Sequence, residues 1–453
     1  MKIAVMNGSP KGDNSITLQY IGYIKNMVKG HEFEVINVGH DIKKIENDTT
    51  LFLSIMEKIQ NSDAVIWAFP VYHLSVPSQL KRFIELMFEH YRNGDLKDKY
   101  TTSITTSAHF FDNLAHEYMH SICEDLDMRY VAGFSADMMD LLKKEERDNM
   151  IKFAKNFLEH AENRLPVEKR YQPISYDTKE FMPAETSKIP AAKDHKIVLV
   201  TDAGENDTNL NRMIEIFLKS IPCNVEVVNI NDADIRGGCL GCMKCAYDGT
   251  CVYKDDVTGI YKNIIFPADA MIYATKTRDR YFSSRLKMFF DRSFFNGHRP
   301  MAQNKQMGYI ISGPLRQLNT LRQDLESRAM VGNTNLAGIV TDEYDDSVYL
   351  TSLIQNFSGQ LIKSLDEQMN KPPMFPGVGG HKIFRDLVYS LSGIFREDDR
   401  FYKTNGLYDF PQKDIRGRAF NLALRWSLKI PFIKKELYNN MSRYMIERLK
   451  KIS

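Results

Sequence analysis

The chain has 453 residues, 43% of them hydrophobic and 26% charged, with a net charge of +2. This composition excludes a disordered, collagenous or coiled-coil chain as a whole, and the length suits two or three domains. The near-neutral charge argues against a dedicated nucleic-acid binder. The longest apolar runs, such as residues 65–72, fall far short of the roughly 18 residues a membrane span needs. The first ten residues lack the apolar region of a secretory leader, and six cysteines are too few to staple a chain of this length, so a reducing cytoplasm is expected.

Charge is unevenly spread. From Lys371 to Ser453 there are 17 Lys and Arg against 8 Asp and Glu, a net of +9, which leaves −7 on the first 370 residues.

β-Rich runs recur at helix-sized intervals: Lys2–Met6, Phe33–Val38, Ala64–Val71, Thr101–Thr106 and Arg129–Phe134. Between them Thr17–Val28, Leu51–Ile59, Ser78–Tyr91 and Leu114–Leu126 are helix-like. That alternation predicts a parallel sheet covered on both faces. Residues 163–193 carry Pro166, Pro173, Pro183 and Pro190 and read as a tether. The rhythm then restarts with Lys196–Thr201, Val225–Ile230, Ala270–Thr275, Met307–Ser312 and Leu336–Thr341. The expected architecture is α/β, with two tandem doubly wound five-stranded parallel sheets. They occupy residues 1–165 and 195–365, joined by a linker at 166–194 and followed by a helical extension at 366–453.

The first strand runs into NGSPKGDNSIT, residues 7–17. Ser9, Asn14, Ser15 and Thr17 supply short donors, Gly8 and Gly12 permit a tight turn, and the following helix points its free N–H groups at the loop. That arrangement suits a phosphate, or else is a capped polar turn. Neither Gly-x-Gly-x-x-Gly nor the P-loop Lys-Ser/Thr is present, which disfavours a nucleoside triphosphate. After the third strand, FPVYHLSVPSQLKRF (69–83) sets an aromatic ring and backbone N–H groups at the C-terminal sheet edge, where open α/β sheets bind ligands.

Over residues 1–160 these two loops resemble the flavodoxin-like NAD(P)H-dependent FMN reductase family. The resemblance implies FMN, with Ser9, Pro10, Lys11, Asn14, Ser15 and Thr17 around its phosphate. It implies Pro70, Val71, Tyr72, His73 and Leu74 along the isoalloxazine, and NAD(P)H as electron donor. A third flavin loop would hold Ser107, His109 and Phe110; the family's glycine-rich version is absent there, and an aromatic pair closing the first core is the other reading.

Cys239, Cys242, Cys245 and Cys251 form Cys-x2-Cys-x2-Cys-x5-Cys. Three thiolates at two-residue spacing suit a [4Fe–4S] cluster, whereas structural zinc more often uses two knuckles a dozen or more residues apart; a metal-free loop is the third reading. Cys123 and Cys223 stand alone and read as core residues. The string through Gly249, Cys251, Asp255 and Asp256 resembles the iron–sulfur flavoprotein branch of the same family. That implies a cluster close to FMN, in a homo-oligomer.

The second half departs from the family elsewhere. Asp202, Glu205 and Asp207 stand in its first loop, where they would repel a phosphate, and Lys276–Tyr281 replaces the ring loop. One FMN per chain, in the first half, is expected. Lys276, Arg278 and Arg280 either meet an anionic substrate or the NAD(P)H phosphate, or are solvated. Ile415, Ala419, Leu422, Trp426 and Ile430 recur at helical spacing among Arg416, Arg418, Arg425 and Lys429. That basic amphipathic helix either packs on the body or meets a membrane surface or acidic partner.

The expected function is a cytoplasmic oxidoreductase passing electrons from NAD(P)H through FMN to a cluster and on to a small-molecule or protein acceptor. No nucleic acid or transmembrane segment is expected. The alternatives are a cluster-free quinone, azo or nitro reductase, and a non-catalytic electron carrier or redox-responsive module.

Overall fold

In the computed structural model, residues 1–90, 94–177, 179–441 and 444 are described; Tyr91, the expected end of one helix, lies outside them. The first half runs β1 (Lys2–Asn7), α1 (Ile16–Met27), β2 (Glu32–Ile36), α2 (Ile42–Ile45), α3 (Thr49–Gln60), β3 (Ala64–Pro70), α4 (Ser78–His90), β4 (Tyr100–Ser107), α5 (Asp112–Asp125), β5 (Arg129–Asp137) and α6 (Lys144–Glu162). The second runs β6 (Ile197–Thr201), α7 (Thr208–Ser220), β7 (Val225–Asn229), α8 (Cys245–Asp248), α9 (Asp256–Ile260), β8 (Ala270–Lys276), α10 (Ser284–Arg292), β9 (Gln306–Ser312), α11 (Asn319–Gly332), β10 (Asn335–Thr341) and α12 (Ser347–Asp366). Then come α13 (Phe375–Ser390), α14 (Arg396–Thr404), α15 (Ile415–Ser427) and α16 (Pro431–Asn439).

Each half forms a five-stranded sheet, ordered β2-β1-β3-β4-β5 and β7-β6-β8-β9-β10. Every strand pair is parallel. This is the doubly wound flavodoxin-like order, with its switch point between β1 and β3 and between β6 and β8. Strand β3 is apolar on both faces because helices cover both: Val65, Trp67 and Phe69 face one core, and Ala64, Ile66 and Ala68 face the other.

The two halves meet through corresponding helices, α4 on α10 and α5 on α11. One side-chain pattern serves both sides. Lys81 and Glu85 pair at 2.8 Å on α4, and Lys287 pairs with Asp291 on α10. Asp291 accepts from the Ser78 N–H that opens α4, at 2.8 Å, and Glu85 accepts from the Ser284 N–H that opens α10, at 2.6 Å. Each carboxylate thus sits at the positive end of the other half's helix dipole. The arrangement is a pseudo-two-fold contact within one chain.

Residues 1–398 form one compact unit and 399–453 another. Within the first, α13 lies on α11, with Gly377 against Met330. Within the second, Tyr408 donates to Asp399 at 2.8 Å and its ring stacks on Phe410. No helix of the described residues is long and apolar enough to cross a membrane.

Candidate flavin and cysteine site

Three loops at the C-terminal edge of the first sheet converge on Thr106. Its hydroxyl lies 2.6 Å from that of Thr17 on α1, and its carbonyl accepts from Val71 N–H at 3.2 Å. In the phosphate loop, Ser15 Oγ caps α1 by accepting from Leu18 N–H at 3.3 Å, and Ser9 Oγ accepts from Lys11 N–H at 3.3 Å. Each hydroxyl still has its hydrogen to donate. As the first residues of α1, Ile16 and Thr17 have no intrahelical acceptor for their N–H groups. Asn14 is exposed, Lys11 half-buried, and Ser9, Pro10, Ser15 and Thr17 buried. These donors fit a phosphate.

Tyr72 and Ser75 close a tight turn by exchanging backbone hydrogen bonds of 2.8 and 3.1 Å. The two central residues, His73 and Leu74, have φ of +40° and +73°. A type I′ geometry without glycine is strained, and such strain gathers at ligand loops. His109 and Phe111 of the third loop are also left-handed. Ser75 Oγ is buried with no partner among the described residues. This buried hydroxyl fits a loop built to contact a polar ring system.

The second half braces the ring loop. Lys287 Nζ donates to the Tyr72 carbonyl at 2.8 Å and Arg328 to the His73 carbonyl at 2.9 Å. The His73 ring stacks on Phe294 at 4.3 Å, with Nε2 3.1 Å from Ser293 Oγ. Burial, with Arg328, Lys287 and His298 nearby, holds His73 well below the usual imidazole range, so it is neutral. Ser107 Oγ accepts from His109 N–H at 3.0 Å. The exposed His109 side chain is committed to Asp112 at 3.0 Å, and Phe110 stacks on Phe384 of α13 at 4.2 Å.

The four clustered cysteines line one cavity with Leu240, Met243, Val252, Tyr253, Arg292 and Phe295. Among the described residues no three His, Cys, Asp or Glu side chains converge as a single-ion site does. A tetrahedral zinc site needs sulfurs about 3.8 Å apart, from Zn–S bonds of ~2.3 Å, whereas a multi-iron core holds its ligands further apart. Four thiols line the cavity, and thiolate is the ligand that zinc and iron–sulfur cores alike accept. Gly241 N–H donates to Cys239 Sγ at 3.4 Å, and Arg292 donates to Cys251 Sγ at 3.5 Å. Asp255 grips Arg292 at 2.8 Å through two bonds, and Tyr253 stacks beneath it at 4.3 Å. Burial raises the Cys239 thiol to about 12 and Cys245 to about 11. Thiolate ligation there must therefore displace protons.

The cysteine loop lies against the ring loop of the same chain. Gln79 donates to the Cys239 carbonyl at 3.1 Å. A Cβ at Gly241 would collide with the Tyr72 hydroxyl, and one at Gly238 with Ser78 and Gln79. Gly241 also has φ of +60°, so glycine is required twice over. Burial, with Cys239, Asp291 and Cys242 close by, holds the Tyr72 phenol well above its ordinary value.

The equivalent loop of the second half is closed by its own side chains. Asp207 accepts from Gly204 N–H at 3.0 Å and lies 3.4 Å from Lys276 and 3.5 Å from Arg278, so a carboxylate fills the anion position. Segment residues before β6 cross the same edge: Phe181 N–H donates to Asn209 at 2.8 Å and Tyr176 to Asp342 at 2.7 Å. Arg280 is buried and paired with Asp125 at 2.6 Å, so it is not available to a ligand.

Thr106, Ser75, Lys287, Arg328 and Arg292 are the site residues that the sequence left unassigned. One signal was present. Ser78-x2-Lys81-x3-Glu85 recurs as Ser284-x2-Lys287-x3-Asp291.

A doubly wound sheet with a donor-rich phosphate turn and a strained ring loop at its switch point defines a flavodoxin-like flavoprotein. The NADPH-dependent FMN reductase family model matches residues 1–138 and again 200–341. The chain belongs to that family, and so to the FMN-dependent NAD(P)H oxidoreductases. An iron-sulfur flavoprotein of Archaeoglobus fulgidus is 32% identical over 208 residues, 44% of this chain and 93% of that protein. An FMN-dependent NADH:quinone oxidoreductase of Haemophilus influenzae is 28% identical over 149 residues, 26% of this chain and 77% of that one. Among solved structures, the NAD(P)H:acceptor oxidoreductase FerB of Paracoccus denitrificans is 20% identical with a TM-score of 0.31, covering 36% of this chain and 97% of its own.

Proposed function

We propose that this chain is a cytoplasmic, iron–sulfur-type FMN oxidoreductase with its flavin in residues 1–165 and a [4Fe–4S] cluster on Cys239, Cys242, Cys245 and Cys251. In this reading residues 195–365 are a second family unit that has given up its flavin, residues 166–194 join the two, and 366–453 are an extension. The observation that carries it is the seating of the cysteine loop on Tyr72 within one chain. Bound FMN supplies hydride acceptance from NAD(P)H and release of electrons singly to a one-electron centre.

The chain's own residues bind and orient. Ser9, Lys11, Asn14, Ser15 and Thr17 with the α1 N–H groups hold the phosphate, with Pro10 shaping the turn. Pro70, Val71, Tyr72, His73 and Leu74 present the ring loop, and Ser107, His109 and Phe110 border it. Lys287 and Arg328 fix that loop from behind. Each of these cations is itself held by a buried carboxylate, Lys287 by Asp291 and Arg328 by Asp324, so the brace is rigid. The Tyr72 phenol stays protonated between the two loops. Arg292 places a positive charge and a donor on Cys251. A small-molecule or protein acceptor takes the electrons, and further copies of the chain assemble around this internal pair.

Anaerobic titration with NADH and with NADPH tests this reading. Flavin absorbance should bleach first, followed by a broad shoulder beside it; a flavin-only titration would contradict it. The second reading, a cluster-free quinone, azo or nitro reductase, is favoured by the quinone oxidoreductase relative. In that case the cysteines would hold zinc or nothing.

A further inference from the structure

Helix α15 carries a second feature, independent of the redox reading. Ile415, Leu422, Trp426 and Ile430 are 76, 57, 63 and 52% exposed, and Ala419 between them is exposed too. At about 100° per residue Ile415, Ala419, Leu422 and Trp426 fall within an arc of roughly 60°, and Ile430 follows just past the helix end at Ser427. On the opposite side Leu424, Ser427 and Leu428 are half-buried, while Phe420, about 120° from the centre of the stripe, is 66% exposed. The helix therefore turns an apolar stripe outward. Arg416 borders the stripe on one side, and Arg418, Arg425 and Lys429 on the other. No acidic residue lies within α15; Asp414 only caps it, accepting from Gly417 N–H. Lys429 Nζ lies 3.8 Å over the Trp426 ring, and Phe432, 76% exposed, extends the apolar surface beyond the helix.

We propose that α15 and Phe432 form a docking surface for an anionic lipid bilayer. The stripe would lie in the plane of the interface, with its side chains at the headgroup–acyl boundary and the flanking cations on lipid phosphates. Charge complementarity selects this occupant. A second copy of the same face would bring four like charges against four, whereas an anionic headgroup layer neutralises them. Tryptophan at the centre of a basic-rimmed apolar face is the composition that interfacial helices use. The cationic side chains can keep their heads in the phosphate layer while their stems lie along the apolar boundary. No described helix is long and apolar enough to cross a bilayer, and the proposed contact is one along its surface.

The test uses the full chain with vesicles of phosphatidylcholine alone and of phosphatidylcholine mixed with phosphatidylglycerol. The chain has two tryptophans and Trp67 is fully buried, so a blue shift in tryptophan emission on vesicle addition reports Trp426. Co-sedimentation with mixed vesicles, with that shift, is expected, weakening as salt rises. Arg418→Glu with Arg425→Glu should weaken partitioning at least about tenfold, since each basic residue near an anionic surface contributes about 1 kcal/mol. Leu422→Glu with Ile430→Glu should abolish it, and all four side chains are exposed, so the fold should survive. Equal binding to both lipid types, retained binding by the Leu422/Ile430 variant, or no binding to mixed vesicles would each overturn the proposal. A doubled solution mass without vesicle binding would assign the stripe to a second copy instead.

Discussion

Lys287 Nζ donates to the Tyr72 carbonyl at 2.8 Å, tying α10 of the second half to the ring loop of the first across 215 residues of sequence. The same ammonium pairs with Asp291, and both are fully buried. Burial lowers the lysine and raises the aspartic acid, and each partner opposes that shift in the other. Removing one member leaves an unpaired buried charge, which costs about 3–5 kcal/mol. Lys287→Met should therefore destabilise the protein by that amount in chemical denaturation and loosen FMN. Lys287→Met with Asp291→Leu should recover much of the stability, though not the FMN affinity. A single variant as stable as wild type would remove the pair from the account.

The flavin phosphate is expected to depend on Lys11 and Asn14. Both are at least partly exposed, unlike Thr17, which is buried on Thr106, so a carboxylate can be introduced there without entering the core. Each carboxylate beside a phosphate costs on the order of 1 kcal/mol or more. Lys11→Asp with Asn14→Asp should weaken FMN binding about thirtyfold or more, given roughly 1.4 kcal/mol per tenfold. If the double variant keeps half or more of its flavin, the second half is the binding unit.

Single Ala replacements at Cys239, Cys242, Cys245 or Cys251 should each remove most iron and acid-labile sulfide and leave FMN in place. Arg292→Leu should do the same to a lesser degree, because Cys251 loses its donor and Asp255 its partner. Replacement of Cys223, outside the cavity, should leave the iron content unchanged.

His116 supplies a pH test of the first half. Its ring bridges Ser103 at 2.7 Å and Thr105 at 2.9 Å, and burial pulls its pKa down to about 4. The folded state binds the proton less tightly than the unfolded chain. The contribution is thus fully present above about 6.5 and is lost as pH falls toward 4, about 3 kcal/mol at most. His116→Gln should flatten the pH dependence of unfolding in that window. Parallel curves for variant and wild type would contradict the assignment.

Much of this was legible in the sequence. Strands β1, β3, β6, β8 and β9 read clearly because burial on both faces leaves apolar runs, and residues 7–17 and 69–83 read as ligand loops because turn chemistry is local. The internal pairing of the halves was half-written in the repeated Ser-x2-Lys-x3-Asp/Glu of α4 and α10. Arg292 reaching Cys251, Arg328 reaching His73, and Phe384 covering Phe110 were not legible. Each joins segments 41 to 274 residues apart, and such tertiary contacts leave no periodicity behind. The exposed stripe of α15 had the reverse problem: its pattern was plain, but an amphipathic pattern does not say whether its apolar side is covered.

The central claim is a flavin in the first half beside a cluster on the second half's cysteine loop. Iron, acid-labile sulfide, zinc and FMN per chain, measured on protein made and purified anaerobically with iron supplied, test it most directly. The account predicts one FMN with about four iron and four sulfide per chain. Stoichiometric zinc without sulfide, or two FMN per chain, would contradict it.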